Sequence, residues 1–169
     1  GAFAVTLDCF RDTEEDCADG RDDDDDGLVD CADPDCAMNL VDCPRCDAAL
    51  RESLVCDSTV GVSTRVPMAT REVDAYGCNA NDYTGPERLF HFRVPSATVV
   101  RLQAEERIGA VDILVLESQD GVCRPAQCIA WGPYRVRFQA REGVDYFVAI
   151  DGYGGGDGAL TLVVDCEDI

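Results

Sequence analysis

From residue 51 onward, short apolar runs alternate with clusters of turn-forming residues. The runs are ERLFHFRV (87–94), ATVVRLQA (97–104), VDILVLES (111–118), YRVRFQA (134–140), DYFVAID (145–151) and ALTLVVD (159–165). Each has the length and the β-branched or aromatic content of a strand. In RVRF the period is two, which turns Arg135 and Arg137 outward and Val136 and Phe138 inward. Weaker strand patterns lie at 53–56 and 59–63, and residues 48–55 fit either a helical turn or a first strand. Between the runs stand TGP (84–86), SQDG (118–121), REG (141–143) and DGYGGGDG (151–158), the last expected to form a flexible hairpin. Strands this short and this closely spaced predict an all-β fold, an antiparallel β-sandwich of jelly-roll character. No long amphipathic helix is visible, and no apolar run reaches the roughly 18 residues of a membrane span.

The first fifty residues follow a different pattern. Residues 1–10 alternate loosely through Phe3, Val5, Leu7 and Cys9 and predict a short strand, one that could pair with a neighbouring molecule. Residues 11–50 have no sustained period and few apolar side chains, so they need crosslinks or a metal to fold. Three parts are therefore expected: an N-terminal strand (1–10), a small irregular disulfide- and calcium-stabilised module (11–50) and the sandwich (51–169).

Charge sharpens this division. The net charge is −20. Residues 1–50 hold 16 acids and 3 arginines (−13), and residues 51–169 hold 18 acids and 11 arginines (−7). Such a chain repels nucleic acid and anionic lipid, which disfavours both as partners. All 14 basic residues are arginine, which excludes lysine Schiff-base chemistry and a P-loop lysine.

Much of the acid lies in DGRDDDDDGLVDCADPDC (19–36). With Gly27 as anchor, Asp22, Asp24, Asp26, Asp30 and Asp33 fall at positions 1, 3, 5, 9 and 12 of a calcium loop, with the glycine at position 6. Carboxylates at 1, 3 and 5 converge when the loop curls, the glycine permits the turn, and Leu28 offers its backbone carbonyl. The alternative register on Asp23 and Asp25 puts no glycine at the turn. Ca2+ is thus the expected ion, in a structural role. These residues, with Cys17, Cys31 and Cys36 beside them, resemble the thrombospondin type 3 calcium repeats and the Asp/Cys repeats of large secreted bacterial proteins. One repeat is present where such families string several.

The chain has 11 cysteines: Cys9, Cys17, Cys31, Cys36, Cys43, Cys46, Cys56, Cys78, Cys123, Cys128 and Cys166. Their density in a β-rich, acidic chain predicts disulfides and a secreted, extracellular or cell-surface location. Expected pairings are Cys123 with Cys128, across a tight loop, and Cys56 with Cys78. A zinc site from Cys31, Cys36, Cys43 and Cys46 is the alternative for that group. CPRC (43–46) lacks the strand-to-helix setting of a redox centre. An odd total implies one free thiol or a bond to another chain.

The C-terminal pattern is similar to the bacterial pre-peptidase C-terminal domain. Phe90, Phe92, Asp112, Leu114, Tyr146, Val148, Asp151, Gly152, Gly158 and Leu162 carry the resemblance, over about 54–166. It implies a β-sandwich that serves secreted enzymes and surface proteins as a non-catalytic accessory. Asp112 and Asp151 are expected to cap turns, with a second cation as the alternative. Signs of catalysis are weak. His91 is the only histidine and shares its strand with Phe90 and Phe92 on the other face; no G-x-S-x-G occurs. Trp131 and Tyr134 are candidates to stack on a sugar, against a packed role at the sandwich edge.

The expected protein is non-enzymatic, secreted and calcium-binding. One function class is a structural surface or matrix subunit that self-associates into a homo-oligomer or filament, by donation of residues 1–10. The other is a carbohydrate-binding or targeting accessory module of secreted hydrolases. Replacing Asp22, Asp24 and Asp26 together by asparagine is expected to abolish calcium-dependent protection of residues 11–50 from protease, read by mass spectrometry of timed digests.

Overall fold

The computed structural model describes residues 13, 15–17, 21–25, 35–36, 50–118 and 121–168. Packing divides the chain into two compact units, Gly1–Pro44 and Arg45–Ile169.

In the first unit, Cys17 and Cys36 form a disulfide with their Cα atoms 5.7 Å apart, so the aspartate run lies within the covalent loop. Both cysteines are buried.

The second unit is a sandwich of two sheets. Its strands are β1 (Leu50–Leu54), β2 (Ser58–Ser63), β3 (Glu87–Arg93), β4 (Thr98–Gly109), β5 (Val111–Ser118), β6 (Cys128–Gly132), β7 (Arg135–Ala140), β8 (Asp145–Gly152) and β9 (Gly158–Asp168). One sheet has the order β1-β3-β8-β5-β6 and the other β2-β9-β4-β7. All pairings are antiparallel except β1 with β3, which is parallel at the sheet edge. Residues 50–54 are therefore a strand and not a helical turn. The strand β6 is one that the sequence pattern did not suggest; CIAWG is too short to show a period.

Between the sheets, Phe90, Phe92, Ile113, Val115, Tyr146, Val148 and Ile150 meet Val100, Leu102, Val136, Phe138, Leu162 and Val164. The arginines of β7 point outward and its Val136 and Phe138 inward, as alternation requires. In contrast, β5 and β8 are buried along almost their whole length. Their second face carries Leu114, Leu116, Phe147 and Ala149, which pack with Leu89 of β3 and with Val73, Tyr76 and Tyr83. Those last three residues belong to a strap, 64–86, laid over the outside of the five-stranded sheet. Two buried faces explain why these strands read as continuous apolar runs.

The disulfides differ from the expected pairs. Cys56 bonds Cys166, and Cys78 bonds Cys128. Cys128 is thus unavailable to Cys123, which is itself disulfide-bonded. The physical reason is distance through the fold. Cys56 precedes β2, whose pairing with β9 brings Cys166 alongside, while the strap carries Cys78 over to the start of β6. The glycine-rich segment 151–158 is also no hairpin. It crosses from β8 in one sheet to β9 in the other through a 3-10 turn at Tyr153–Gly155.

The Cys56–Cys166 bond spans 110 residues and ties the β2 side of the sandwich to the last strand. Replacing both cysteines by alanine is expected to lower the unfolding free energy by about 2–4 kcal/mol, seen as a lower urea midpoint for the second unit.

Candidate functional site

At one end of the five-stranded sheet, three acids stand side by side. Glu87 of β3 lies opposite Asp151 of β8, and Asp151 lies opposite Asp112 of β5. All three face outward, on the side of Leu89, Ala149 and Leu114, yet the strap covers them. Their relative exposures are 0%, 0% and 3%. A buried carboxyl needs hydrogen-bond partners, and the strap supplies most of them. The Tyr76 hydroxyl donates to Asp151 Oδ2 at 2.6 Å, and the Tyr83 hydroxyl donates to Asp112 Oδ2 at 3.0 Å. The Thr70 hydroxyl and the Glu72 amide both donate to Glu87 Oε1, the latter at 3.0 Å. A two-way backbone bridge between Thr70 and Glu87 fixes the strap at this point. Glu87 Oε2 and Asp151 Oδ1 have no partner.

Burial dominates the electrostatics here. It pushes Asp151 up to about 8, with the Tyr76 hydroxyl opposing and Glu87 reinforcing the rise. Burial also raises Glu87 and Asp112, the latter against the Tyr83 hydrogen bond and the Arg107 charge. Arg107 Nη2 lies 3.8 Å from Asp112 Oδ1. Beside this row Tyr83 is pushed up to about 12 and Tyr76 well above the usual phenol range, in both cases chiefly by burial.

Asp112 also borders an open cleft of about 410 Å³. Trp131 stands opposite Leu114 on β6, so it shares the outer face with Asp112. Asn81 and Asp82 enter from the strap, Pro133 from the turn after β6, and Tyr153 and Gly154 from the crossover. The loops are held close: Gly154 N donates to Asp82 O at 2.7 Å and Tyr153 N to Ala110 O at 3.1 Å. Glycine is required where the strap end meets the crossover. A Cβ on Gly85 or on Gly152 would stand 2.3 Å or 2.0 Å from Gly156 O. The walls of the cleft are two exposed aromatic rings, Trp131 (41% exposed) and Tyr153 (40%). Its lining side chains also bring two carboxyls, an amide, the Tyr153 hydroxyl and the Trp131 indole N–H.

Of the two aromatics weighed as sugar-stacking candidates against a packed role, Trp131 lines this cleft and Tyr134 does not. Tyr134 instead lies under the Arg107 guanidinium, 5.0 Å from its ring centroid. Asp112 and Asp151 accept hydrogen bonds from strap tyrosines in addition to any role at their strand ends. Residues 76, 81, 82, 83, 87 and 153 were not singled out from the sequence. The signal was faint: DAYGCNANDYTGPE has no period, and an acid at the start or end of a strand looks like an ordinary edge residue.

At the other end of β3 and β8, His91 Nε2 lies 2.7 Å from Asp145 Oδ1, and Arg93 is 3.7 Å from the same oxygen. Among the described residues no hydroxyl or thiol is hydrogen-bonded to His91.

Of the predicted calcium ligands, Asp22 and Asp24 are described and half-buried, as is Asp23. Asp25 is exposed, with φ of +60°. Aspartate is among the few non-glycine residues that enter this region readily. Asp26, Leu28, Asp30 and Asp33 lie outside the described residues, as do residues 1–10, Cys31, Cys43 and Cys46. Among the described residues no group of three or more His, Cys, Asp or Glu side chains is arranged to hold a metal. No described helix is long and apolar enough to cross a membrane.

No family model matches the chain. No curated protein matches it either. Among solved structures, the chain is similar to the pre-peptidase C-terminal domain of a collagenase from Bacillus anthracis, with a TM-score of 0.41 and 15% identity, over 68% of this chain and 93% of that one.

Tyr83→Phe removes the donor to Asp112 Oδ2 and the acceptor for Asn79 Nδ2 while keeping the ring. It is expected to cost about 1–3 kcal/mol of stability, measured by urea unfolding at pH 7.

Proposed function

We propose that this chain is a non-catalytic accessory module of a secreted protein, and that it binds a saccharide in the Trp131–Tyr153 cleft. The single observation that carries this reading is the pairing of two exposed aromatic faces with hydrogen-bonding side chains in one cleft. A ring face takes the apolar face of a sugar, and Asn81 and Asp82 offer amide and carboxylate groups to its hydroxyls. The disulfides Cys17–Cys36, Cys56–Cys166 and Cys78–Cys128 support an oxidising, extracellular location.

A calcium-bound loop at Asp22–Asp33 belongs to the same proposal, as a structural element. Two observations favour it. Asp22 and Asp24 are half-buried, and the Cys17–Cys36 bond closes residues 17–36 into a covalent loop that contains the aspartate run. Compacting these charges requires a counter-charge, and Ca2+ suits a set of oxygen donors. Assembly by donation of residues 1–10 rests on residues outside those described, so the sugar-binding role takes precedence.

The test is native affinity electrophoresis through gels carrying hydroxyethyl cellulose, xylan, β-1,3-glucan or galactomannan. The proposal expects the wild type to be retarded by at least one polysaccharide and Trp131→Ala to migrate as it does in a blank gel. Equal retardation of both proteins, or none of the wild type in any gel, overturns the cleft as a sugar site.

A further inference from the structure

The Glu87–Asp151 pair is the most unusual polar feature of the second unit. Side chains directly opposite on antiparallel strands have Cβ atoms about 4.5–5.5 Å apart. Both carboxyls are fully buried, and each has one oxygen without a partner. Among the described residues no arginine forms an ion pair with either. The groups that face Asp151 are neutral or negative: Tyr76 and Asp74 from the strap, Glu87 from β3, Asp112 from β5 and the Gly152 amide beside it. Around Glu87 stand Thr70, Glu72 and Tyr76 of the strap. Arg107 of β4 approaches Asp112 at 3.8 Å, and Arg71 of the strap donates to Thr84 O. Two ionised carboxylates cannot share such a site at neutral pH, so one of them keeps a proton.

We propose that this shared proton is a latch: it holds the 64–86 strap on the sheet, and its loss releases the strap and opens the wall of the ligand cleft. The proposal rests on the cleft reading for its consequence but not for its mechanism.

The strap transmits the change because its contacts form a chain. Tyr76 binds Asp151 and packs edge-on against Tyr83, with ring centroids 5.0 Å apart. Tyr83 N donates to Asp74 O, and the Tyr83 hydroxyl joins Asn79 to Asp112. The next residues back, Asn81 and Asp82, are the cleft wall. The Cys78–Cys128 bond keeps the middle of the strap tethered, so release is local and the sandwich stays folded.

The direction with pH follows from the burial. Asp151 holds its proton up to about pH 8 when the strap is closed, whereas an aspartate released into water loses it near pH 4. The closed state therefore binds more protons than the open state. Closure is fully favoured below the open-state value, weakens as pH rises, and is lost as pH passes through about 8. The tyrosines beside the row ionise above this window.

Trp131 is the single tryptophan and lines the cleft, so it reports on the wall without any ligand. Acrylamide quenching of its fluorescence is followed from pH 5 to 9.5 in full-length protein, with far-UV circular dichroism alongside. The proposal expects quenching to rise in one transition centred near pH 8 while the dichroism stays constant. Asp151→Asn abolishes the transition. Glu87→Gln, which removes the neighbouring charge, moves it down by about one unit. His91→Gln, at the far end of the same strands, leaves it in place. A flat wild-type profile, or an unmoved transition in both row variants, overturns the latch; if Asp151→Asn does not fold, Glu87→Gln decides alone. A polysaccharide that retards the wild type is then run in gels at pH 6 and pH 9. Weaker retardation at pH 9 supports the link to the cleft, and equal retardation overturns that link. Absence of any retardation bears on the sugar site, and the quenching profile still decides the latch.

Discussion

Burial of β5 and β8 on both faces is the constraint from which the rest of the second unit follows. One face is covered by the opposite sheet, in the ordinary manner of a sandwich. The other face carries Leu114, Leu116, Phe147 and Ala149, and a bare surface of that kind would aggregate. The strap exists to cover it. Apart from the Thr70–Glu87 bridge, the strap has no regular pairing of its own. It is held by a disulfide, by three buried apolar or aromatic side chains and by hydroxyl-to-carboxyl hydrogen bonds.

That solution has a polar consequence. The apolar side chains cover the middle of the sheet, and the tyrosine hydroxyls reach past them to the strand ends. Acids at those ends are thereby sealed from water together with their partners. A row of three carboxyls in register is met there by hydroxyl donors and, at Asp112, by Arg107, while burial raises all three toward their protonated forms. The cleft forms where this covering layer stops. Strap, crossover and β6 each bring one or two side chains to its rim, and glycines let the backbones approach closely enough to shape it.

The first unit meets the opposite electrostatic problem. Its acids are concentrated in a segment with few apolar residues, where charge repulsion opposes any compact form. A covalent loop closed by Cys17 and Cys36 restricts how far the segment can spread. The acids of the second unit are spread out and partly met by arginines, as in Arg101 with Glu167 and Arg65 with Asp157. Acid content alone therefore has two uses in one chain, and the local apolar content separates them.

What was legible in the sequence was local. Strands with a clear period or a continuous apolar run lie where the pattern put them, because side-chain alternation and turn residues act over a few positions. The β-sandwich class and the orientation of Arg135 and Arg137 belong to this group. What the sequence alone left undecided was every relation set by chain crossing. The parallel β1–β3 edge, the Cys56–Cys166 and Cys78–Cys128 bonds, and the meeting of Glu87, Asp151 and Asp112 join residues tens of positions apart. None of these leaves a periodic trace. A strap without regular structure can cover a sheet only when that sheet exists, so its tyrosines acquire partners, and the acids their burial, only through the tertiary fold.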